Sequence, residues 1–276
     1  MALRHATATR YVQPLREGGS LPAVVDTDDG MYVVKFRGAG QGAKALVAEL
    51  IVGLLGATAG LPVPDVALVD LPEPFGRSEP DPEIQDILRK SRGANVGLRY
   101  LDGAFNFDLA AAGEYVSPEL AARIVWFDAW MTNPDRTARN PNLLIWRRTP
   151  WLIDHGAALY AHHDWAGVDA ARTVSPFTRI EDHVLLSRSG SIEEADSTMR
   201  AHFNNDVIHD VMAQVPDSLL SDPAYRLDFV TVEDARARYA AYLRDRLAGG
   251  APFVGEAIRA QNRLQREVPL HLSARR

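Results

Sequence analysis

Two groups of oxygen-bearing side chains in the middle of the chain have the residue types needed for metal-assisted chemistry. Asp135 and Asn140 lie in a polar stretch after a predicted helix, and Asp154 lies in the sequence Asp-His-Gly. Two short apolar runs, at residues 143–145 and 151–153, separate these groups and predict a β-hairpin. Carboxylate and amide oxygens at the ends of strands are suited to binding a hard cation and a phosphate group.

The spacing of these residues favours phosphoryl transfer. Asp135 and Asn140 are separated as in the protein-kinase catalytic loop, where Asp accepts the proton of the substrate hydroxyl and Asn holds magnesium. Kinases supply a second metal-binding Asp after the next hairpin, which is the position of Asp154. Each group alone also fits a simple polar turn, because Asn, Asp, Pro and Gly stabilise turns locally. Their joint order along the chain indicates a kinase site.

The segment NPDRTARNPNLLI, followed by LIDHG, resembles the HipA-like kinases and, more distantly, the phosphoinositide kinases. The resemblance implies that Asp135 is the catalytic base and that Asn140 and Asp154 are magnesium ligands. It also places Arg136 and Arg139 near the phosphates of ATP.

The chain departs from the family pattern at two positions. Thr137 stands where these families usually have His, and His155 replaces the usual Phe. The departure at Thr137 keeps open a pseudokinase that binds nucleotide without turnover. The familiar HipA toxins carry a further N-terminal domain and a DNA-binding antitoxin partner. This chain begins almost at the kinase core, so toxin behaviour is not expected of it.

The composition limits the classes of protein to which the chain can belong. Its 276 residues, 46% of them hydrophobic, suit one large or two small globular domains. The net charge of −6 argues against a nucleic-acid partner, because phosphate neutralisation needs a basic face. The absence of cysteine excludes disulfides and thiolate chemistry. No signal peptide or membrane span is predicted, so the expected compartment is the cytoplasm.

The first strands predicted by the sequence resemble the opening of a kinase small lobe. Apolar runs at residues 9–15, 21–26 and 31–36 predict a three-stranded meander. Gly18, Gly19 and Ser20 lie in its first loop and could let backbone N–H groups approach the phosphates of ATP. The same three residues also fit an ordinary hairpin turn.

Lys35 and Glu49 follow in the order of the kinase lysine–glutamate ion pair. Lys35 lies near the end of the third strand, where a kinase places the lysine that reaches the α- and β-phosphates. Glu49 lies beside the apolar face of a helix predicted over residues 43–58. Taken singly, each residue fits a solvated surface charge. Together with Asp135, Asn140 and Asp154 they favour a nucleotide site.

A competing motif lies between the third strand and this helix. Residues 38–43 satisfy G-x-G-x-x-A, and Asp70 closes the next predicted strand, as in a dinucleotide-binding fold. Two strands precede the motif, however, and the polar residues between Asn133 and Gly156 would then have no role. A dinucleotide-binding oxidoreductase is therefore the least favoured alternative.

The sequence from residue 71 to residue 103 predicts an insertion, a strand and a hinge. Residues 71–93 are rich in proline and charge and contain one short helix around residues 83–90. Residues 95–101 read as the last strand of the small lobe. Leu101, with Asp102 and Gly103 after it, is by its position the candidate hinge that contacts adenine.

The second half of the chain is predicted to be mainly helical. Ser117-Pro118-Glu119 starts a helix that ends at the catalytic loop. Helices are also predicted over residues 192–215, 232–248 and 253–267.

The segment between residues 157 and 186 occupies the activation-loop and substrate-docking region of a kinase. Ser175 and Thr178 in this segment are possible phosphorylation sites, although loop hydroxyls are common. The pair His162 and His163 lacks the spacing and the further ligands of a metal site, and ordinary hydrogen-bonded histidines are favoured.

The sequence therefore predicts an α+β, bilobal protein-kinase-like fold. Residues 1–102 would form an N-lobe with a small antiparallel sheet and one helix, and residues 103–276 a mostly helical C-lobe. With ATP and Mg²⁺ as cofactors, the protein would transfer the γ-phosphoryl group to a hydroxyl acceptor. The resemblance suggests Ser or Thr of a protein, including the enzyme itself. A small-molecule phosphotransferase is a further alternative.

Overall fold

The computed structural model describes residues 3–15, 21–40, 42–77, 79–249 and 251–267, and it shows a mixed α+β fold. Most of the described strands lie in the first half of the chain. The strands are β1 (Arg4–Pro14), β2 (Ala23–Thr27), β3 (Gly30–Lys35), β4 (Val66–Leu71), β5 (Gly93–Arg99), β6 (Phe105–Asn106), β7 (Leu143–Trp146) and β8 (Thr149–Leu152).

Helices dominate the second half of the chain. The helices are α1 (Gly42–Thr58), α2 (Pro82–Lys90), α3 (Leu109–Ala112), α4 (Pro118–Met131), α5 (Ala170–Thr173), α6 (Ile192–Arg200), α7 (Asn205–Ala213), α8 (Asp217–Leu220), α9 (Val232–Ala248) and α10 (Ala251–Glu267). None of the helices among the described residues has the length and apolar character required to span a bilayer.

The first five strands form a closed barrel in the order β1-β2-β3-β5-β4. Its neighbouring strands are antiparallel except for β1 and β4, which are parallel and pair from Arg4 with Ala67 to Thr7 with Asp70. The predicted sheet was antiparallel throughout. The difference arises because β1 begins at Arg4 rather than near residue 9, so its first part extends beyond β2 and reaches β4.

The interior of the barrel is filled mainly by small and β-branched side chains. Alternate residues along the strands point inward, as the two-residue period of a strand requires. They include Ala6, Ala8, Val25, Val34 and Val69, all at most 4% exposed. The remaining side chains of the barrel pack outward, and on one side they meet α1.

Helix α1 is buried along nearly its whole length. The sequence predicted one apolar face, with Leu46, Leu50 and Leu54, but Val47, Ile51 and their neighbours are equally buried. The reason is that α1 lies between β4 and β5 on one side and α7 and α8 on the other. A charged side chain on this helix must therefore find its partners inside the protein.

The larger hydrophobic core continues from α1 into the helical half, across the predicted boundary near residue 102. Trp126 lies at its centre, with ring centroids 5.7 Å from Trp130 and 5.5 Å from Phe253.

The helix predicted over residues 192–215 is interrupted. Asn204 caps a new helix there, because its side-chain oxygen accepts from the backbone N–H of Val207.

Replacing the central tryptophan should destabilise the whole protein. Trp126 is fully buried, and its indole N–H donates to Asp196 at 2.7 Å. We expect Trp126→Ala to lower the free energy of unfolding by about 3–5 kcal/mol, as truncation of a buried large aromatic side chain does. Urea denaturation measures this loss. Phe105→Ala, at a side chain that is 55% exposed, is the control and should cost much less; equal losses would contradict this description of the core.

Candidate active site

Three charged groups from separate parts of the chain meet at one point. Lys35 Nζ, at the end of β3, lies 2.6 Å from Glu49 Oε2 on α1 and 2.5 Å from Asp154 Oδ1, just after β8. The side chains of Lys35 and Glu49 are buried, whereas that of Asp154 is 40% exposed. The structure thus brings together three of the residues selected from the sequence and leaves only the Asp154 carboxylate open to solvent.

The two carboxylates keep the lysine charged. Burial alone would lower the pKa of Lys35, but the charges of Glu49 and Asp154 outweigh this effect and raise it above its ordinary value. A buried ammonium is stable only with such partners. The Lys35 cation is therefore held at a fixed position between the two carboxylates.

The turn after β8 has an unusual backbone conformation. Asp154 has φ +55°, in the left-handed region that non-glycine residues rarely adopt. The next backbone N–H, of His155, donates to Glu49 Oε2 at 2.9 Å and fixes the turn against α1. Thr132, Asn142 and Leu159, all in nearby loops, also have positive φ. Strained residues of this kind are typical of functional sites.

The loop after α4 presents a second acid with two amide neighbours. Asp135 Oδ2 accepts hydrogen bonds from Asn140 Nδ2 at 2.9 Å and from Asn142 Nδ2 at 3.2 Å. Thr137 closes the loop, because its hydroxyl accepts from the backbone N–H of Asn140 at 3.2 Å. The residue that replaces the usual His therefore stabilises the loop conformation.

Asn142 is a residue of the site that the sequence analysis did not select. It is buried, whereas Asn140 is exposed, and its carbonyl accepts from the backbone N–H of Ile153 at 3.1 Å. Asn142 therefore lies between Asp135 and the residue that precedes Asp154. The sequence Asn140-Pro141-Asn142 could have indicated Asn142, because it offers two amides at nearly the same distance from Asp135.

Arg136 supports the loop from inside the protein. Its side chain is fully buried, and Nε donates to Asp128 Oδ2 on α4 at 2.6 Å. Its Nη1 donates to the carbonyl of Asn142, and its Nη2 lies 3.3 Å from His155 Nδ1. The resemblance placed this arginine near the phosphates; in the structure its side chain is buried, and its donors face Asp128, Asn142 and His155.

Asp128 is the anion of this buried network. Burial alone would raise the pKa of Asp128, but Arg136 and His183 outweigh this effect and hold it well below its ordinary value. His183 Nε2 lies 3.0 Å from Asp128 Oδ2, while its Nδ1 accepts from the backbone N–H of Leu185. The network connects α4, the Asp135 loop and the segment at residue 183.

The other residues predicted to bind the nucleotide are Arg139, Leu101 and the loop of Gly18, and they differ in their exposure and contacts. Arg139 is exposed and has no ion pair or hydrogen bond with any described residue. Leu101 is buried, and its carbonyl accepts from the N–H of Ala104 at 3.1 Å. The predicted phosphate loop of Gly18, Gly19 and Ser20 lies outside the described residues.

In the described part of the chain, neither the glycine motif nor the histidine pair has the geometry of a cofactor or metal site. Strand β3, before the glycines at 38–43, has antiparallel neighbours, β2 and β5, so the parallel βαβ unit of a dinucleotide site is not formed. His162 is buried and bonds Tyr239 Oη at 2.9 Å and His163 Nε2 at 3.2 Å. The described residues contain no group of three or more His, Asp or Glu side chains arranged for a metal.

The donor atoms of the site nevertheless fit a magnesium ion held together with a nucleotide. Magnesium prefers oxygen ligands and is usually bound through one or two carboxylates plus substrate phosphates and water, without a complete protein cage. Asp154 has a solvent-accessible carboxylate, and the Asp135 loop adds a second acid and two amides. This set needs phosphate oxygens to complete it.

A Lys–Glu–Asp triad beside an Asp–Asn loop is the arrangement of a kinase site. The chain belongs to the HipA-like kinases, because the model of that family matches residues 10–224. The resemblance read from the sequence is therefore confirmed. No curated protein sequence matches the chain.

A solved structure has a similar fold. It is that of the proinflammatory kinase CtkA of Helicobacter pylori, with a TM-score of 0.53 and 11% sequence identity. The match covers 96% of this chain and 99% of that protein. At this identity the likeness concerns the fold alone, and it supports a kinase-like architecture.

The protein should lose stability in mild acid because of its buried histidines. Burial lowers the pKa of His155 to about 3 from its ordinary 6.5, and the nearby Arg136 adds to the shift. The unfolded chain then binds a proton that the folded chain does not, so stability falls as the pH drops below 6.5 toward 3. We expect His155→Phe to reduce this slope by up to about 1.4 kcal/mol per pH unit, measured by urea denaturation across that range. Equal slopes would contradict this description.

Proposed function

We propose that the protein is an ATP- and Mg²⁺-dependent kinase that transfers the γ-phosphoryl group of ATP to a hydroxyl. The observation that carries this proposal is the contact of Lys35 with both Glu49 and Asp154. In kinases this lysine and glutamate set the nucleotide, and the Asp after the hairpin holds metal. Family membership supports the same reaction class.

Each group in the site has a definite task in the proposed mechanism. Lys35, oriented by Glu49, donates to phosphate oxygens, and Arg139 at the exposed loop adds positive charge. Asp154 and an amide of the Asp135 loop would hold the metal, which would supply positive charge beside the phosphates. Asp135 accepts a hydrogen bond from the acceptor hydroxyl and takes its proton during transfer.

The proposed roles divide between the two predicted lobes. The barrel and α1, within residues 1–102, would bind the nucleotide as an N-lobe, and residues 103–276 would supply the catalytic loop and acceptor site as a C-lobe. Leu101 and Asp102 are the proposed hinge. We infer that the acceptor is Ser or Thr of a protein, as the resemblance to HipA-like kinases suggests.

Removing the proposed base should separate catalysis from nucleotide binding. Asp135→Ala removes the proton acceptor but leaves Lys35, Glu49 and Asp154 in place. We expect phosphoryl transfer, including autophosphorylation, to fall at least 100-fold, within the usual effect of a general base. The transfer assay uses labelled ATP, and thermal unfolding with and without MgATP measures binding.

The thermal measurement also tests the nucleotide itself. MgATP at about a hundred times its dissociation constant should add roughly 2.7 kcal/mol to the stability of the wild type and of Asp135→Ala. Asp154→Asn is the matched variant, and its magnesium-dependent shift should be smaller. Undiminished transfer by Asp135→Ala would overturn the mechanism, and stabilisation by NAD or NADP alone would overturn the proposed nucleotide.

Mutation can also distinguish the roles of Asn140 and Asn142, the two amides of the Asp135 loop. Asn142 is the better placed ligand, because it is paired with Ile153 next to Asp154, whereas the sequence selected Asn140. We expect Asn142→Ala to raise the magnesium concentration needed for half-maximal ATP stabilisation by about tenfold. Asn140→Ala should have the smaller effect, and the reverse order would restore Asn140 as the ligand.

A further inference from the structure

A cavity of about 310 Å³ opens beside the catalytic loop, away from Lys35. Pro134, directly before Asp135, forms part of its wall, and Phe177 and other residues of the segment after the Asp-His-Gly turn form another part. The cavity is large enough for one side chain or a small metabolite, but it does not include Lys35 or Asp154. It therefore lies next to the residue that precedes Asp135 and is separate from Lys35 and Asp154.

The charged groups that line this cavity are all cationic. Three arginines contribute to its surface, Arg172, Arg179 and Arg246, and no Asp or Glu does so in the part of the chain that the structure describes. Arg172 already has a counter-ion, because its Nη1 lies 2.6 Å from Asp164 Oδ2. Arg179 is exposed and makes no ion pair or hydrogen bond with a described residue.

Arg246 is a buried cation without a carboxylate among the described residues. It is 1% exposed, and its guanidinium donates only to backbone carbonyls, those of Ala129, Trp130, Thr173 and Ser175, at 2.9–3.0 Å. The carbonyls at the end of α4 offset part of its charge. Burial lowers the pKa of Arg246, which reflects the cost of keeping this charge away from water. An anion in the cavity would offset that cost.

A phenol hydroxyl also lines the cavity. Tyr242 is 3% exposed, and its Oη has no hydrogen bond to any described residue. Its O–H can therefore donate to a molecule in the cavity. A donor of this kind between cationic side chains is suited to an oxygen of a carboxylate or a phosphate.

We propose that this cavity recognises the phosphate acceptor by binding an anionic group, carboxylate or phosphate, that the acceptor carries near its reactive hydroxyl. Arg179 and Tyr242 would contact the anion, while the buried Arg246 would contribute positive potential from the cavity wall. The source that we favour is an acidic side chain of a protein acceptor. The assignment to an acceptor rests on the proposed function, whereas anion binding by the cavity does not.

The test measures binding without ATP, so that it does not depend on catalysis. Fluorescence anisotropy compares a labelled peptide with Ser flanked by Glu and a matched peptide with Gln in place of Glu. The acidic peptide should bind the wild type at least tenfold more tightly, since hydrogen bonds to charged groups have about this effect. Arg179→Glu should remove the preference, and Tyr242→Phe should weaken binding of the acidic peptide about fivefold.

Arg226→Glu is the matched control, because Arg226 is an exposed arginine outside the cavity and its replacement makes the same change in net charge. It should leave peptide binding unchanged. Unaltered melting midpoints would show that the variants fold. A second titration with inorganic phosphate identifies the source of the anion. Arg179-dependent binding of phosphate without acidic-peptide binding would support the cavity chemistry and indicate an acceptor that carries a phosphate group.

Two results would overturn the proposal. One is the absence of Arg179-dependent binding for both probes, and the other is an equal loss in Arg226→Glu, which would indicate a general charge effect. MgATP stabilisation, measured on the same variants, should be unchanged in Arg179→Glu. A wild type without MgATP stabilisation would instead refute the proposed function, and the peptide titration would still report on the cavity.

Discussion

The buried charge of Lys35 is the constraint on which the site depends. Its two carboxylate partners come from α1 and from the turn after β8, so the barrel, the helix and the hairpin must all be in place before the charge is satisfied. Removing Glu49, the buried partner, should cost about 3–5 kcal/mol, as is typical when one charge of a buried pair is left uncompensated. The same contacts that stabilise the fold therefore fix the positions of the groups proposed to bind nucleotide and metal.

A second buried network holds the Asp135 loop to this arrangement. Arg136 connects Asp128 on α4 to the carbonyl of Asn142 and to His155, the residue next to Asp154. Lys44 adds a further connection, because its Nζ donates to the carbonyl of His162 at 2.6 Å and to Asp228 at 2.9 Å. These contacts fix α1, and with it Glu49, against the helical half of the molecule.

The sequence predicted the parts of the site that depend on local order and missed those that depend on tertiary packing. Lys35, Glu49 and Asp154 could be selected because each lies at the end of a strand or on a helix whose pattern is readable. The burial of Arg136 could not be predicted from the sequence. Its partner Asp128 lies on an apolar helix, where an acidic residue resembles an ordinary surface charge. The parallel pairing of β1 with β4 was also missed, because strand partners far apart in sequence leave no local pattern.

Closure of the barrel has a consequence for association with other chains. Closure gives β2, β3, β4 and β5 a neighbour on each side, which protects them from pairing with a strand of another molecule, whereas β4 pairs with β1 only over residues 4–7. The small sheet of β6, β7 and β8 remains open at both sides. An extended peptide could therefore add a strand at the small sheet, next to the Asp135 loop, or beside the later part of β1, while the other strands of the barrel stay protected.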